Sequence, residues 1–145
     1  MHEARDIKYW IVVVSKDHVE AGRALGVVQA NHGKSTPMQQ MQPGDMMVFY
    51  SSKLHYRGKG ALKKFTAIAR VKEGDVYRGD TGGSYAPYRR DVEFLACAET
   101  DILPLIQKIS FIEDKQNWGY VFRFGFFEIP QTDFATISHA MGLQD

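Results

Sequence analysis

The sequence predicts an α+β fold, in which a strongly curved sheet or small open barrel is flanked by helices. Apolar runs of strand length, such as residues 8–14 and 46–51, recur along the chain. They cluster without the regular alternation of strand and helix that is typical of a parallel sheet. The 145 residues carry no internal repeat and no linker, which predicts a single domain over residues 1–145.

The first half of the chain begins with a strand and a helix. Residues 8–14 (KYWIVVV) form a β-branched run that predicts a buried strand. Ser15 is suited to cap the helix after it, and Gly26 is suited to end that helix. A strand over 46–51 comes after the QPGD turn. Alternating side chains predict another strand over 64–74.

The second half is predicted to contain a glycine-rich loop over 77–87, a strand over 88–99, a short helix or turn over 102–109, a strand over 121–129 and a helix from 130 to 142. Ser110 and Glu113 have the spacing of a capping box, which predicts a helix start. The last helix carries an apolar stripe of Phe134, Ile137 and Met141, which is typical of a helix that packs on a core.

Gly33-Lys34-Ser35 matches the end of a phosphate-binding P-loop. The full pattern needs a further glycine at the position of Val28, and it must connect a buried strand to a helix. Here a predicted helix precedes the motif, and Pro37 interrupts the segment immediately after it. The sequence therefore argues against a P-loop nucleotidase, and the motif needs another explanation.

Composition narrows the classes of function. The net charge is only +1, so any nucleic-acid binding must rest on local patches rather than on the whole surface. Cys97 is the only cysteine, which excludes a disulfide framework and a cysteine-based zinc site. The longest apolar run is too short to span a bilayer. We expect a cytoplasmic protein without a membrane partner.

Catalytic signals are weak in this chain. The five histidines make no pair with metal-ligand spacing, so we predict no metal site and no cofactor. Cys97 lies among apolar residues and is best explained as a small core side chain. We predict no catalytic residue. An enzyme acting on a nucleotide-like small molecule, with Lys34 or His32 as the acid–base group, stays open as an alternative.

Signals for binding are stronger. The segment 53–64 is basic and contains no acid, which suits contact with a phosphate backbone. The alternative is a solvated hairpin loop. The predicted contacts are Lys53, Arg57, Lys59 and Lys63.

Aromatic residues mark two further segments. The loop over 77–91 combines tyrosines with arginines, the side chains that stack on unpaired bases. Its alternative is a structural loop packed on its own tyrosines. Trp118 is predicted to lie outside a regular element, where it contacts a ligand or plugs the end of the barrel.

Several ordered motifs carry a family resemblance: KYWIVVVSKDHV, HGK, MQPGDMMVFYS, FTAIARV, PYRRDVEF, SFIEDKQNWG and FRFGFFEI. Together they resemble the EVE domain of the PUA-like superfamily, which also contains the YTH readers of methylated RNA. The likeness runs from about residue 8 to residue 141. It implies a pseudobarrel of five to six mostly antiparallel strands with flanking helices.

The resemblance also implies a pocket for one base. In YTH domains a flipped base enters an aromatic cage beside a Lys-Ser pair at the end of the first strand. Here Ser15 and Lys16 stand at that place in reversed order. YTH domains have a tryptophan in the loop after the first helix, where this chain has Asn31 and His32. The second cage ring corresponds to Tyr85 or Tyr88.

The implied function is a non-enzymatic module that binds a nucleobase, which we expect to be a modified one, in DNA or RNA. Gly33 would allow close approach of the backbone, Asn31 would read a base edge and Lys34 would neutralise a phosphate. The full set of expected ligand contacts is Ser15, Lys16, Asn31, His32, Gly33, Lys34, Tyr50, Ser51, Tyr85, Tyr88, Arg89 and Trp118. A protein-interaction or homodimer module with a vestigial pocket is the other alternative.

Overall fold

A computed structural model describes residues 6–29, 36–55, 58, 60–79 and 86–143 of the chain. The strands are β1 (Tyr9–Val13), β2 (Val27–Gln29), β3 (Met46–Lys53), β4 (Ala61–Val71), β5 (Tyr77–Arg78), β6 (Tyr88–Leu95), β7 (Thr100–Asp101) and β8 (Phe126–Ile129). The helices are α1 (Lys16–Leu25), α2 (Thr36–Gln40) and α3 (Gln131–Ala140), with 3₁₀ helices at Leu103–Lys108 and Trp118–Phe124. Within these ranges no helix is long and apolar enough to cross a membrane.

The main sheet runs through six strands in the order β2-β6-β4-β3-β1-β8. Only β1 and β3 pair in parallel, and the other pairings along this path are antiparallel. The short strands β5 and β7 add to β6 and β4. The sheet curls into an open half-barrel, which confirms the predicted α+β fold with a mostly antiparallel sheet.

The central strands are apolar on both faces because both faces are covered. Ile11 and its partner Val48 contribute to a core that the 3₁₀ helices and α3 cover. Trp10 and its partner Met47 contribute to a second core beneath α1 and α2. Each fully buried side chain of this size contributes about 1.5–3 kcal/mol, so the two cores together hold the curled sheet in shape.

Two buried carboxylates fix the connections to this sheet. Asp45 accepts hydrogen bonds from the backbone N–H groups of Lys8 and Gln42 and from the indole N–H of Trp10. Asp133 accepts bonds from the backbone N–H of Ser110, the Ser110 hydroxyl and the backbone N–H of Phe111. The predicted capping box is therefore wrong, because Ser110 bonds to α3 and no helix begins there.

Several predicted elements need correction. The strand expected over 121–129 is a 3₁₀ helix up to Phe124, followed by β8, because Gly125 turns the chain at a φ of 76°. Ser15 stands at the first turn of α1, but its hydroxyl bonds to the Asp17 carboxylate rather than capping the backbone. Gly26 ends α1 in the left-handed conformation, as predicted.

Candidate functional site

One end of the sheet gathers many of the residues that the sequence singles out. Because β1 and β3 are parallel, both terminate at this end, and the antiparallel strands β4 and β8 begin there. Val13 pairs with Tyr50, and the 3₁₀ helix Trp118–Phe124 leads directly into β8. The end of β1, the β3–β4 hairpin and the Trp118 segment therefore meet, although they are far apart in sequence.

A ring-lined cavity of about 410 Å³ opens at this end. Its aromatic lining consists of Tyr50, Trp118 and Phe122. The Tyr50 and Phe122 rings stack with centroids 4.0 Å apart, and Trp118 meets Phe122 edge-on at 6.5 Å. Val13 and Gly119 complete the apolar part of the wall. We call this space the base cavity, because it is large enough to admit a planar heterocycle and is lined by rings.

Tyr50 is a rigid part of the wall. Its side chain is almost fully buried, and its ring also meets Phe65 edge-on. Burial raises the pKa of Tyr50 to about 12, so the phenol stays neutral at physiological pH. A neutral hydroxyl on a fixed ring is able both to donate and to accept a hydrogen bond.

The polar lining of the base cavity combines cations with amides. Lys63 and Arg123 supply positive charge, and the Lys63 ammonium lies 5.8 Å from the centre of the Trp118 ring. Gln116 and Asn117 supply amide groups, which present a donor and an acceptor side by side. Ser52 adds a hydroxyl. Such groups are suited to a base edge and its attached phosphate.

Backbone irregularity accompanies this cavity. Lys63 has a φ of 57°, the only positive value among the described residues other than glycine. The pairing of β3 with β4 also shifts register between Ser51 and Lys53, which indicates a bulge. Bulges re-aim side chains, and strained backbone persists where the surrounding structure enforces it. Both features lie beside the cavity, at the residue whose ammonium stands over the Trp118 ring.

Other predicted contacts at this end do not line the base cavity. Ser15 is buried and bonds to Asp17, whereas Lys16 forms an ion pair of 2.6 Å with Glu99. Ser51 is fully buried on the face opposite Tyr50, where its hydroxyl bonds to Thr66. Lys53 ends β3.

Tyr88 and Arg89 lie elsewhere on the sheet. Val92 of β6 pairs with Val71, the last residue of β4, so the register places Tyr88 and Arg89 past the opposite end of β4. Arg78 lies over the Tyr88 ring at 4.5 Å, and Arg89 donates a 2.6 Å hydrogen bond to Gln29. The structure therefore separates this pair from Trp118, and the two groups do not form one cavity.

Seven predicted contacts lie outside the described residues: Asn31, His32, Gly33, Lys34, Arg57, Lys59 and Tyr85. Their roles stay predictions. Gln29, the last residue of β2, is the nearest described residue before them, and it accepts the hydrogen bond from Arg89.

Sequence reasoning misses part of the base cavity. The alternating VFRFGFFEI run predicts a strand at Phe122 and Arg123, and Trp118 is predicted to lie outside a regular element, but all three belong to one 3₁₀ helix. The adjoining amides Gln116 and Asn117 match no binding motif. The signal that could have found them is their position directly before an expected ligand-binding tryptophan.

The family follows from comparison of the whole chain. A sequence model of the EVE domain matches residues 8–140. The chain belongs to the EVE domain family. A UPF0310 protein of Mesorhizobium japonicum is 46% identical over 92% of this chain and 91% of the relative. The predicted resemblance is confirmed.

Solved structures support the fold of this EVE domain. The YTH domain of Zygosaccharomyces rouxii MRB1, solved with N6-methyladenosine RNA, matches with a TM-score of 0.65 and 14% identity, covering 100% of this chain and 90% of that one. The Pho92 YTH domain, solved with m6A, gives a TM-score of 0.63 at 14% identity, covering 100% and 92%. At such identities the likeness concerns the fold.

Proposed function

We propose that this EVE domain is a non-catalytic module that binds one nucleobase of an unpaired or flipped nucleotide in the base cavity. The observation that carries the proposal is the cavity at the end of β1, where three rings face two cations and two amides. Family membership and the fold shared with YTH domains support a base-reading role.

Each part of the cavity has a distinct task in this proposal. The Trp118 ring stacks on the base, an interaction worth about 1–3 kcal/mol. The Gln116 amide pairs with the base edge and adds about 1–3 kcal/mol of discrimination between bases, beside the Asn117 amide, whose nitrogen also donates to Asp114. Lys63 and Arg123 neutralise the attached phosphate. Extracting a base from a duplex costs a few kcal/mol, so an unpaired or mismatched nucleotide binds best.

A modified base is the favoured ligand. A methyl group on an exocyclic amine would bury itself against Val13 and Phe122, which line the cavity with apolar atoms. Burying one such group stabilises a complex by about 0.8 kcal/mol, close to a fourfold gain in affinity. DNA and RNA both present this chemistry, and the ligand panel must contain both.

The test is a calorimetric titration of the protein with short single-stranded oligonucleotides, each of which carries one modified or plain base. We expect saturable binding that depends on the base and persists at moderate salt. Phe122→Leu, which removes a ring but keeps apolar volume, should weaken binding severalfold. Leu103→Ala, at an exposed site away from the cavity, is the matched control.

Three outcomes would count against the proposal. Equal affinity for every oligonucleotide, lost at moderate salt, would indicate contact with phosphates alone. Unchanged binding by the folded Phe122→Leu variant would place the base elsewhere, for example beside Tyr88 and Arg89. Chemical turnover of a nucleotide, detected by mass spectrometry, would favour the enzyme alternative.

A further inference from the structure

A second hollow lies on the other side of Trp118. It has a volume of about 250 Å³ and shares only Asn117 and Trp118 with the base cavity. Its aromatic lining consists of Phe111, Trp118, Tyr120 and Phe124. We call it the acidic cage, because its charged lining residues are Glu113 and Asp114.

The exposed rings of the acidic cage are held at right angles. Tyr120 and Phe124 meet with an interplanar angle of 89° and centroids 6.1 Å apart. Their exposed fractions are 60% and 67%, high values for aromatic side chains. Perpendicular rings present π-faces in different directions along the border of the hollow, and such faces attract a cation. The 3₁₀ helix keeps both rings at the surface instead of burying them.

The electrostatics of the hollow favour a positive ligand. The Asp114 carboxylate accepts hydrogen bonds from the backbone N–H groups of Gln116 and Asn117 and from the Asn117 side chain. The bond from the Asn117 side chain, together with the backbone bonds, lowers the pKa of Asp114 and favours the charged carboxylate. Glu113 is exposed and adds a second negative charge. No basic side chain lines the hollow among the described residues.

One ring of the cage already carries a cation. The Arg123 guanidinium lies over the Tyr120 ring, with its central carbon 5.4 Å from the ring centroid. Arg123 lines the base cavity rather than the acidic cage, so Phe124 and the remaining rings face the hollow without it. The aromatic surface of the cage therefore already attracts a positively charged side chain of the same protein.

We propose that the acidic cage binds an alkylated ammonium group. Such a group is large, weakly hydrated and positive, so ring faces and carboxylates together hold it better than they hold a neutral or anionic group. The ammonium could belong to an alkylated lysine side chain or to a small quaternary amine, and both sources present the same chemistry. This inference does not depend on base binding by the other cavity.

The test compares choline with its neutral isostere, 3,3-dimethylbutan-1-ol. The full chain is titrated while Trp118 fluorescence is followed, which is practicable because Trp10, the other tryptophan, is buried. We expect saturable binding of choline and at least about tenfold weaker binding of the alcohol. Equal binding of the two ligands would overturn the proposal, because apolar contact alone would then explain it.

Variants locate the ligand. Phe124→Ala changes an exposed side chain and should lower choline affinity by about tenfold or more, and Glu113→Gln should lower it by roughly threefold. Glu73→Gln, an exposed acid elsewhere, is the matched control. Unchanged choline binding in folded Phe124→Ala protein would also overturn the proposal.

Two further measurements identify the source of the ammonium group and separate the two proposals. A peptide carrying trimethyllysine is compared with the same peptide carrying unmodified lysine. Tighter binding of the trimethyllysine peptide than of choline identifies a protein side chain as the source, and the reverse identifies a small amine. Oligonucleotide binding by Phe124→Ala is measured in parallel, so failure of the cage and failure of the base cavity are distinguishable.

Discussion

The two hollows on either side of Trp118 share a wall and differ in charge. The base cavity has Lys63 and Arg123 among its lining residues, whereas the acidic cage has Glu113 and Asp114. The same indole ring thus faces a positive setting on one side and a negative setting on the other. An aromatic ring alone therefore does not define a ligand, because the charges around the ring favour either an anionic or a cationic group.

The two hollows also differ in which segments of the sequence supply their lining residues. The acidic cage is built by one continuous stretch, residues 111–124, so its charges are local. The base cavity adds Val13, Tyr50 and Lys63 from three distant segments. Only the pairing of β1 with β3 and of β3 with β4 brings those segments to the Trp118 helix.

The largest expected effect comes from removing the shared wall. Trp118→Ala should weaken base binding by about 5- to 150-fold, since stacking on one ring is worth about 1–3 kcal/mol. It should also weaken choline binding by about 2- to 30-fold, since a cation–π contact is worth about 0.5–2 kcal/mol. Trp118→Phe should restore part of both affinities. The measurement is calorimetry with each ligand on protein whose folding is checked by circular dichroism. If only the oligonucleotide affinity or only the choline affinity fell, Trp118 would not be a wall of both binding sites.

The next effect concerns the buried ring of the base cavity. The folded pKa of Tyr50, about 12, exceeds its usual value of 10.0, so the folded protein keeps a proton that the unfolded chain releases. This contribution to stability is fully present below pH 10 and is lost as the pH rises towards 12, by about 1.4 kcal/mol per pH unit.

Tyr50→Phe removes that ionisable group, so its free energy of unfolding should fall less steeply than that of the wild type above pH 10. Urea unfolding at several alkaline pH values measures the difference. Tyr120→Phe, at the exposed ring of the acidic cage, is the control for loss of a phenol group. Identical slopes for Tyr50→Phe and the wild type would show that Tyr50 ionises without resistance from the fold.

A smaller effect is expected at Lys63. Lys63→Gly should lower oligonucleotide affinity by about fivefold through loss of a phosphate contact, whereas choline affinity should stay the same or rise slightly because a positive charge leaves the Trp118 ring. Because glycine accepts the left-handed conformation, this variant should unfold at the wild-type temperature or above it. Calorimetry measures the two affinities, and thermal unfolding measures the stability of the variant. A large drop in stability would show that the Lys63 side chain is mainly structural.

The smallest expected effect tests whether the base cavity and the acidic cage carry opposite charge. Glu113→Lys should lower choline affinity severalfold and raise oligonucleotide affinity by roughly twofold, because it places a positive charge near the Trp118 ring. The measurement is repeated at high salt, where both changes should shrink. A change in the same direction for both ligands would contradict the assignment of opposite charge to the two hollows.

The sequence predicts the elements that depend on local pattern. The β-branched run before Ser15 forms β1, Gly26 ends α1, and the stripe of Phe134, Ile137 and Met141 packs α3 on the core. The family resemblance adds the mostly antiparallel sheet. Prediction fails where one pattern fits two structures, as in the alternating VFRFG stretch. That stretch fits a strand by its side chains but turns as a 3₁₀ helix before Gly125.

The sequence by itself determined which residues are apolar, which are aromatic and which turns need glycine, because these are properties of short segments. Tertiary structure decided which of them meet. It put Tyr50 and Trp118 into one wall, placed Ser51 on the opposite face, and carried Tyr88 and Arg89 to the other end of β4. The physical reason is that side chains alternate across a strand, and that pairing register is fixed by burial of both sheet faces together.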